Sequence, residues 1–271
     1  MDALEAIVLG IVQGLTEFLP ISSTGHLRIV PAFLGWDDPG AAFTAVTQLG
    51  TMAAVLLYFR NDLWRIAVGW TRGLRDPEIR RTTESRLGWY ILIGTIPIAI
   101  LGFAFSDQIE DEARNLKLIG TTLIVLGLVL LAAERAGRRE RDLGDLTARD
   151  GIAIGFAQAL ALVPGVSRSG ATLTMGLFLN LERAAAARYS FLLSVPAVVL
   201  SGLYELKEIG GEGSVGAGPT ALATLLAFVS GYAAIAFLIK FLATNSTLVF
   251  VVYRVVLGAL VLALVGAGAI D

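Results

Sequence analysis

Long stretches without a charged residue alternate with short polar segments along the chain. Residues 41–59 give 19 consecutive uncharged positions and 87–106 give 20; 118–133 and 189–204 give 16 each. Residues 213–239 and 255–270 are likewise uncharged throughout. A helix needs about 20 apolar residues to cross a bilayer. The shorter runs reach that length if Lys117, Arg188 and Arg254 snorkel toward the headgroups. The pattern predicts six spanning helices, at 41–59, 87–106, 118–133, 189–204, 219–239 and 248–270, the fifth opening at Pro219, a favoured first-turn residue.

Two apolar segments, 3–36 and 150–182, are interrupted near the middle, at Pro20-Ile21-Ser22-Ser23-Thr24-Gly25-His26 and Pro164-Gly165-Val166-Ser167-Arg168-Ser169-Gly170. Each leaves two pieces too short to cross a bilayer alone. Irregular backbone is tolerated at membrane depth only where protein buries it or water reaches it, so both segments are predicted to be re-entrant helical hairpins. They also resemble each other. Gly10, Gln13 and Leu15 recur as Gly155, Gln158 and Leu160, and Ser22, Thr24 and Gly25 recur as Ser167, Ser169 and Gly170, all at an offset of 145 with the prolines one residue out of step.

The chain therefore reads as a single all-α membrane domain of two repeats, about 1–133 and about 150–271, each a hairpin followed by three spans. Three crossings are odd in number, so the second repeat is expected to be inverted relative to the first. Charge supports this threading. The segments 60–86, 134–150 and 182–188 carry fourteen arginines, whereas 107–117 and 205–218 carry only Arg114, Lys117 and Lys207. Cytoplasmic loops are enriched in Lys and Arg, so the first group is expected inside, with both termini and the mouth of the first hairpin outside. Residues 62–75 have the pattern of an amphipathic surface helix whose arginines meet anionic lipid, or of a solvated connector.

Composition narrows the chemistry. The 271 residues are 55% hydrophobic and 16% charged, with a mean hydropathy of +0.73; a soluble domain carries about 25% charged residues. A net charge of -2 without a basic stripe argues against nucleic acid. With no cysteine, disulfides, thiolate nucleophiles and Cys-ligated metals are excluded. The acidic start, Met1-Asp2-Ala3-Leu4-Glu5, lacks the basic region of a signal peptide, so the first residue is expected in the mature chain.

The candidate chemistry sits at the two breaks. Gln13 and Glu17 are four residues apart and share a helix face. A carboxylate at membrane depth is costly and usually functional: it ligates a hard cation, takes up a proton, or partners a buried arginine. Ser22, Ser23 and Thr24 precede a short helix. One hydroxyl suffices for a cap, and three with free first-turn amides suit an anion. His26, the single histidine, is placed to act as a base for Ser23 or to attack phosphorus itself. Arg168, between Ser167 and Ser169, presents a fork of donors matched to phosphate, or else pairs with Glu17, which would also bring the hairpins together. A carboxylate, a histidine, hydroxyls and an arginine form a set suited to phosphoryl transfer.

The run Gln13-Gly14-Leu15-Thr16-Glu17-Phe18-Leu19-Pro20-Ile21-Ser22-Ser23-Thr24-Gly25-His26 closely resembles the bacterial undecaprenyl pyrophosphate phosphatases, the bacitracin-resistance family. Pro164-Gly165-Val166-Ser167-Arg168-Ser169-Gly170-Ala171-Thr172 resembles their second motif. The resemblance implies hydrolysis of undecaprenyl diphosphate to the monophosphate that carries peptidoglycan precursors, in the bacterial cytoplasmic membrane, with the active site open to its outer face. It implies a divalent cation, Mg2+ or Ca2+, at Glu17 and Gln13, although Gln13 is the uncharged variant of that pair. It implies Ser23 as nucleophile with His26 as base or acid, Arg168 as the diphosphate clamp, and Ser22, Thr24, Ser167, Ser169 and Thr172 around the phosphate. Partners would be the isoprenoid lipid diphosphate and membrane lipid, with no nucleic acid. Gly and Ala in 255–270 suit either a homodimer contact or packing within one chain. A transporter or flippase of phosphate or lipid phosphate is the competing class, because inverted repeats with broken helices also build transporters.

Overall fold

The computed structural model describes residues 1–105, 115–205 and 216–270, with the side chains of 41, 42 and 201–205 excepted. All named elements among these residues are helical. Helix α1 (Ala3–Phe18) starts in a reciprocal capping box between Asp2 and Glu5. It stops before Pro20, because the residue ahead of a proline is pushed out of helical geometry. Helix α2 (Ser23–Leu34) follows and ends on Gly35 in the left-handed conformation. Then come α3 (Gly40–Tyr58), α4 (Arg60–Gly73), the single turn α5 (Pro77–Arg80), α6 (Thr83–Ala104) and α7 (Leu116–Ala136). The second broken segment gives α8 (Ala148–Ala159), a 3₁₀ turn at Leu160–Leu162, and α9 (Arg168–Phe178). The chain closes with α10 (Arg183–Glu205), α11 (Ala217–Thr244) and α12 (Leu248–Gly266).

Both broken segments thus fold as helix–break–helix. Five helices are long and apolar enough to cross a bilayer: α6, α7, α10, α11 and α12. The first predicted span, 41–59, falls on α3, whose fully described apolar part, Phe43–Tyr58, is shorter. Pro219 lies in the first turn of α11 rather than opening it, since the helix begins at Ala217. Arg114 and Lys207, expected in outer loops, and the end of the second predicted span at 106 lie outside the described residues.

The helices pack crosswise between the two halves. Helix α1 lies along α11, and α8 lies along α6; under the 145-residue offset, α1 matches α8 and α6 overlaps the later part of α11. The contacts are made at matching glycines. A Cβ on Gly10 would sit 2.5 Å from the carbonyl oxygen of Ala223 in α11, and one on Gly155 would sit 2.4 Å from that of Gly94 in α6. Helices α7 and α12 also pack together, as do α3 and α10.

One end of the bundle is tied by polar contacts. The Glu134 carboxylate takes an ion pair from Arg183 and hydrogen bonds from the Thr247 amide (3.3 Å) and hydroxyl (2.8 Å). Arg188 donates to Asp62 at 2.7 Å, Arg86 to the Gly144 carbonyl at 2.9 Å, and Arg141 to Asp150 at 2.6 Å. Arg188 reaches Asp62 of α4 while lying within the apolar helix Arg183–Leu200, which extends past the uncharged run as expected. The segments 60–86, 134–150 and 182–188 share this end. Leu116 and Ile119 of α7 pack instead with Ile29, Val261 and Ile270 in a separate apolar cluster.

Candidate active site

The two breaks have the same local geometry. Ser22 (φ 78°, ψ 103°) and Ser167 (φ 71°, ψ 116°) are both non-glycine residues with positive φ, and each caps the helix that follows. The Ser22 hydroxyl accepts from the Gly25 amide at 3.3 Å, and that of Ser167 accepts from the Gly170 amide at 3.1 Å. Each also lies close to the hydroxyl two residues on: Ser22 to Thr24 at 3.3 Å and Ser167 to Ser169 at 3.2 Å. Such a backbone costs about 1–3 kcal/mol and persists where its surroundings enforce it. Here the serine with positive φ turns the chain sharply, so that α2 and α9 each begin at the break with first-turn amides that have no helical partner.

The breaks meet at Glu17. Arg168 of the second hairpin forms an ion pair with Glu17 Oε1 of the first. Glu17 Oε2 accepts from the Ser23 hydroxyl at 2.6 Å and from Gln13 Nε2 at 3.3 Å. Ser169 Oγ adds a second tie between hairpins, donating to the Leu19 carbonyl at 3.1 Å. Glu17, Ser23 and Arg168 are half-buried and Thr24 is exposed, so the cluster is reachable from outside. Gln13 is buried, and its Oε1 has no hydrogen-bond partner.

Three expectations differ from this geometry. His26 does not pair with Ser23: its Nδ1 bonds to the Ser22 carbonyl at 2.6 Å and its Nε2 to the Tyr253 hydroxyl at 2.6 Å. The helical turn carries the imidazole away from the Ser23 hydroxyl, which instead finds the carboxylate. Thr172 turns toward α10, where its hydroxyl lies 2.5 Å from that of Ser190 while donating to the Arg168 carbonyl at 2.8 Å. Ser22 and Ser167 are spent on caps and are buried.

Two residues of α12 join the site without being expected there. The Tyr253 ring stacks on His26, with centroids 5.6 Å apart and planes within 9°. Arg254, expected to snorkel, is instead fully buried and donates to backbone carbonyls of both breaks. The available signal was its isolation: Arg254 is the single charged residue between Lys240 and Asp271.

A divalent cation would find limited protein ligation. No group of three or more His, Cys, Asp or Glu gathers among the described residues. The donors present are the Glu17 carboxylate, shared with Arg168, and the unpartnered Gln13 Oε1. Such a set fits a hard cation held by one carboxylate, one amide oxygen and the oxygens of a phosphate ligand.

Comparison with known proteins accords with the two motifs. The family described as Bacitracin resistance protein BacA matches residues 6–260. A Nocardioides sp. protein named undecaprenyl-diphosphatase is 56% identical over 271 residues, covering 100% of this chain and 99% of the relative. Undecaprenyl-diphosphatases of Thermobifida fusca and Myxococcus xanthus are each 56% identical, over 99% of this chain and 92% and 91% of the relatives. With the family match covering nearly the whole chain and relatives of this similarity, the chain belongs to the bacitracin resistance protein BacA family.

Proposed function

We propose that the protein hydrolyses undecaprenyl diphosphate to undecaprenyl phosphate and inorganic phosphate. The observation that supports the reading is the junction of Glu17, Ser23 and Arg168, in which a carboxylate, a hydroxyl and a guanidinium from the two hairpins are in contact. The relatives are named diphosphatases, and a carrier alone has no use for a hydroxyl bonded to a carboxylate. Hydrolysis is therefore preferred to transport.

Arg168 exchanges Glu17 for the terminal phosphate, to which its planar fork is matched. Releasing Glu17 from its ion pair leaves the carboxylate free to take the Ser23 proton. Ser23 Oγ attacks the terminal phosphorus, the anhydride P–O bond breaks, and undecaprenyl phosphate departs. The proton on Glu17 leaves with that phosphate. Water then attacks the phosphoserine, giving a proton to Glu17, and Glu17 returns one to Ser23 Oγ as inorganic phosphate forms. The first-turn amides of α2 and α9, with the exposed Thr24 hydroxyl, receive the remaining phosphate oxygens. His26 holds the Ser22 carbonyl one residue before the nucleophile. Mg2+ or Ca2+ would be held by Glu17 and Gln13 Oε1 together with the diphosphate, and would neutralise charge on the phosphoryl oxygens.

The six-span, two-hairpin inverted repeat is part of the same proposal. The crosswise packing of α1 on α11 and α8 on α6, through matching glycines, supports it. The arginine-rich end would face the cytoplasm and the mouth of the first hairpin the outer side of the inner membrane. Exposed apolar side chains such as Ile11, Leu15, Phe156 and Leu160 offer a surface for the isoprenoid tail.

The test is phosphate release from undecaprenyl diphosphate by purified protein in detergent with magnesium, followed by acid quenching of terminally labelled substrate. The proposal expects label on Ser23 and none in Ser23→Ala. Turnover in Ser23→Ala at the wild-type rate would remove the serine as nucleophile. Undiminished turnover in excess chelator would remove the cation.

A further inference from the structure

Arg254 is the seventh residue of α12 and is 1% exposed. Its guanidinium meets five backbone carbonyls. Nη1 donates to Pro20 in the first break at 3.1 Å, and Nη2 to Gly165 at 3.1 Å and Val166 at 3.0 Å in the second. Nη2 also reaches Thr122 at 3.4 Å, and Nε reaches Leu123 at 3.3 Å, both in α7. No carboxylate lies within ion-pair distance of it among the described residues, whereas the buried or half-buried arginines Arg141, Arg168 and Arg183 each have one.

A buried arginine without a counter-ion is costly. Dipoles of the five carbonyls offset part of that cost but leave the unit charge. The placement also joins two tight turns. The amides after Pro20 and Gly165 are committed within them, Ile21 N donating to the Leu19 carbonyl at 2.7 Å and Val166 N to the Val163 carbonyl at 3.2 Å, so one cation holds both turns by their carbonyls. Both serines with positive φ stand immediately beyond these carbonyls, Ser22 two residues after Pro20 and Ser167 one after Val166. The fit is tight: a Cβ on Gly170, in the first turn of α9, would lie 2.9 Å from Arg254 Nη1.

We propose that Arg254 is a positioning residue of the phosphate site: one guanidinium fixes both breaks in register, and its uncompensated charge is balanced by the bound diphosphate of the substrate. This deepens the phosphatase reading and rests on it. Arg168 acts from the side the substrate enters and exchanges partners; Arg254 acts from behind the loops and keeps its own. The proposal explains why two strained serine caps persist as a matched pair, since neither loop can relax without losing carbonyls from a shared donor.

The experiment uses the full-length purified protein and the variants Arg254→Lys, Arg254→Met and Gly170→Ala. It measures kcat and KM for undecaprenyl diphosphate, inhibition by inorganic pyrophosphate, direct pyrophosphate binding by calorimetry, and thermal unfolding. Arg254→Met is expected to weaken pyrophosphate binding at least tenfold and to lower kcat about a hundredfold. Arg254→Lys keeps the charge but cannot bridge five carbonyls, so pyrophosphate binding should recover to within about threefold of wild type while kcat stays low. Gly170→Ala displaces the guanidinium and should lower kcat with the charge retained. A folded Arg254→Met that binds pyrophosphate as wild type does would overturn the proposal, and so would equal losses of affinity in Lys and Met. If the Arg254 variants do not fold, Gly170→Ala decides: wild-type kcat there overturns it. Failure of the wild type to release phosphate from the lipid would instead defeat the phosphatase reading, and pyrophosphate binding would still judge Arg254.

Discussion

At the residue scale, the chemistry reduces to where one carboxylate is shared. Glu17 holds Arg168 on one oxygen and Ser23 and Gln13 on the other, so changing any of these residues disturbs the rest. Arg168→Ala removes the phosphate clamp and leaves Glu17 without its cation; kcat is expected to fall about a thousandfold, the scale of losing a transition-state donor, with the protein still monodisperse. Steady-state phosphate release checks this, and a loss confined to KM would contradict it. His26→Ala is expected to be milder than Ser23→Ala, by at least tenfold in kcat, because the imidazole touches the Ser22 carbonyl and Tyr253 rather than the nucleophile. Equal losses would restore His26 to the reacting atoms. The residue types at both breaks were legible in the sequence, since Glu, Arg and His are conspicuous in apolar surroundings. Their pairing was not. Whether Ser23 meets His26 or Glu17 depends on how the chain turns at Ser22, and a serine with positive φ is not a choice that propensity makes.

At the element scale, the breaks are what the hairpins are built around. Ser167 has both a cap to lose and a strained φ to relieve. Ser167→Gly should therefore be more stable than Ser167→Ala by about 1 kcal/mol, because glycine adopts positive φ freely while alanine keeps the strain and drops the cap. Thermal unfolding of the two variants in one detergent measures the difference, and an Ala variant equal to or more stable than Gly would show that the strain is not real. Gly155 tests packing. A side chain there would strike the Gly94 backbone, so Gly155→Leu is expected to cost about 3 kcal/mol or more, near the upper end for overpacking. The recurrence of Gly10 as Gly155 was visible in the sequence as part of a repeat, but its cause, a backbone contact with a helix of the other half, needed the fold. Helix ends moved by a few residues from the edges of the uncharged runs for a simple reason: Thr82, Asn115 and Gly216, which start α6, α7 and α11, are capping residues outside those runs or within a longer one.

At the scale of the whole molecule, two halves exchange partners across the bundle and bring their breaks to one place. Arg254 was misjudged from sequence because a charge near the start of an apolar run is equally suited to snorkelling and to burial; only the position of α12 against α7 and both breaks decides between them. The chain contains no cysteine, so single-cysteine labelling reads its topology cleanly. In intact cells an impermeant maleimide should label Asp37→Cys, and should label Arg75→Cys or Arg149→Cys only after permeabilisation. The reverse pattern would turn the molecule over in the membrane. The central claim, that both hairpins form one phosphatase site, is tested most directly by phosphate release from undecaprenyl diphosphate by purified wild type beside Glu17→Gln, Arg168→Gln and the double variant. Each single change is predicted to abolish nearly all turnover, with the double variant little worse than either. Release by the wild type with multiplicative losses in the double variant would mean that the two residues act independently, and would contradict a shared site.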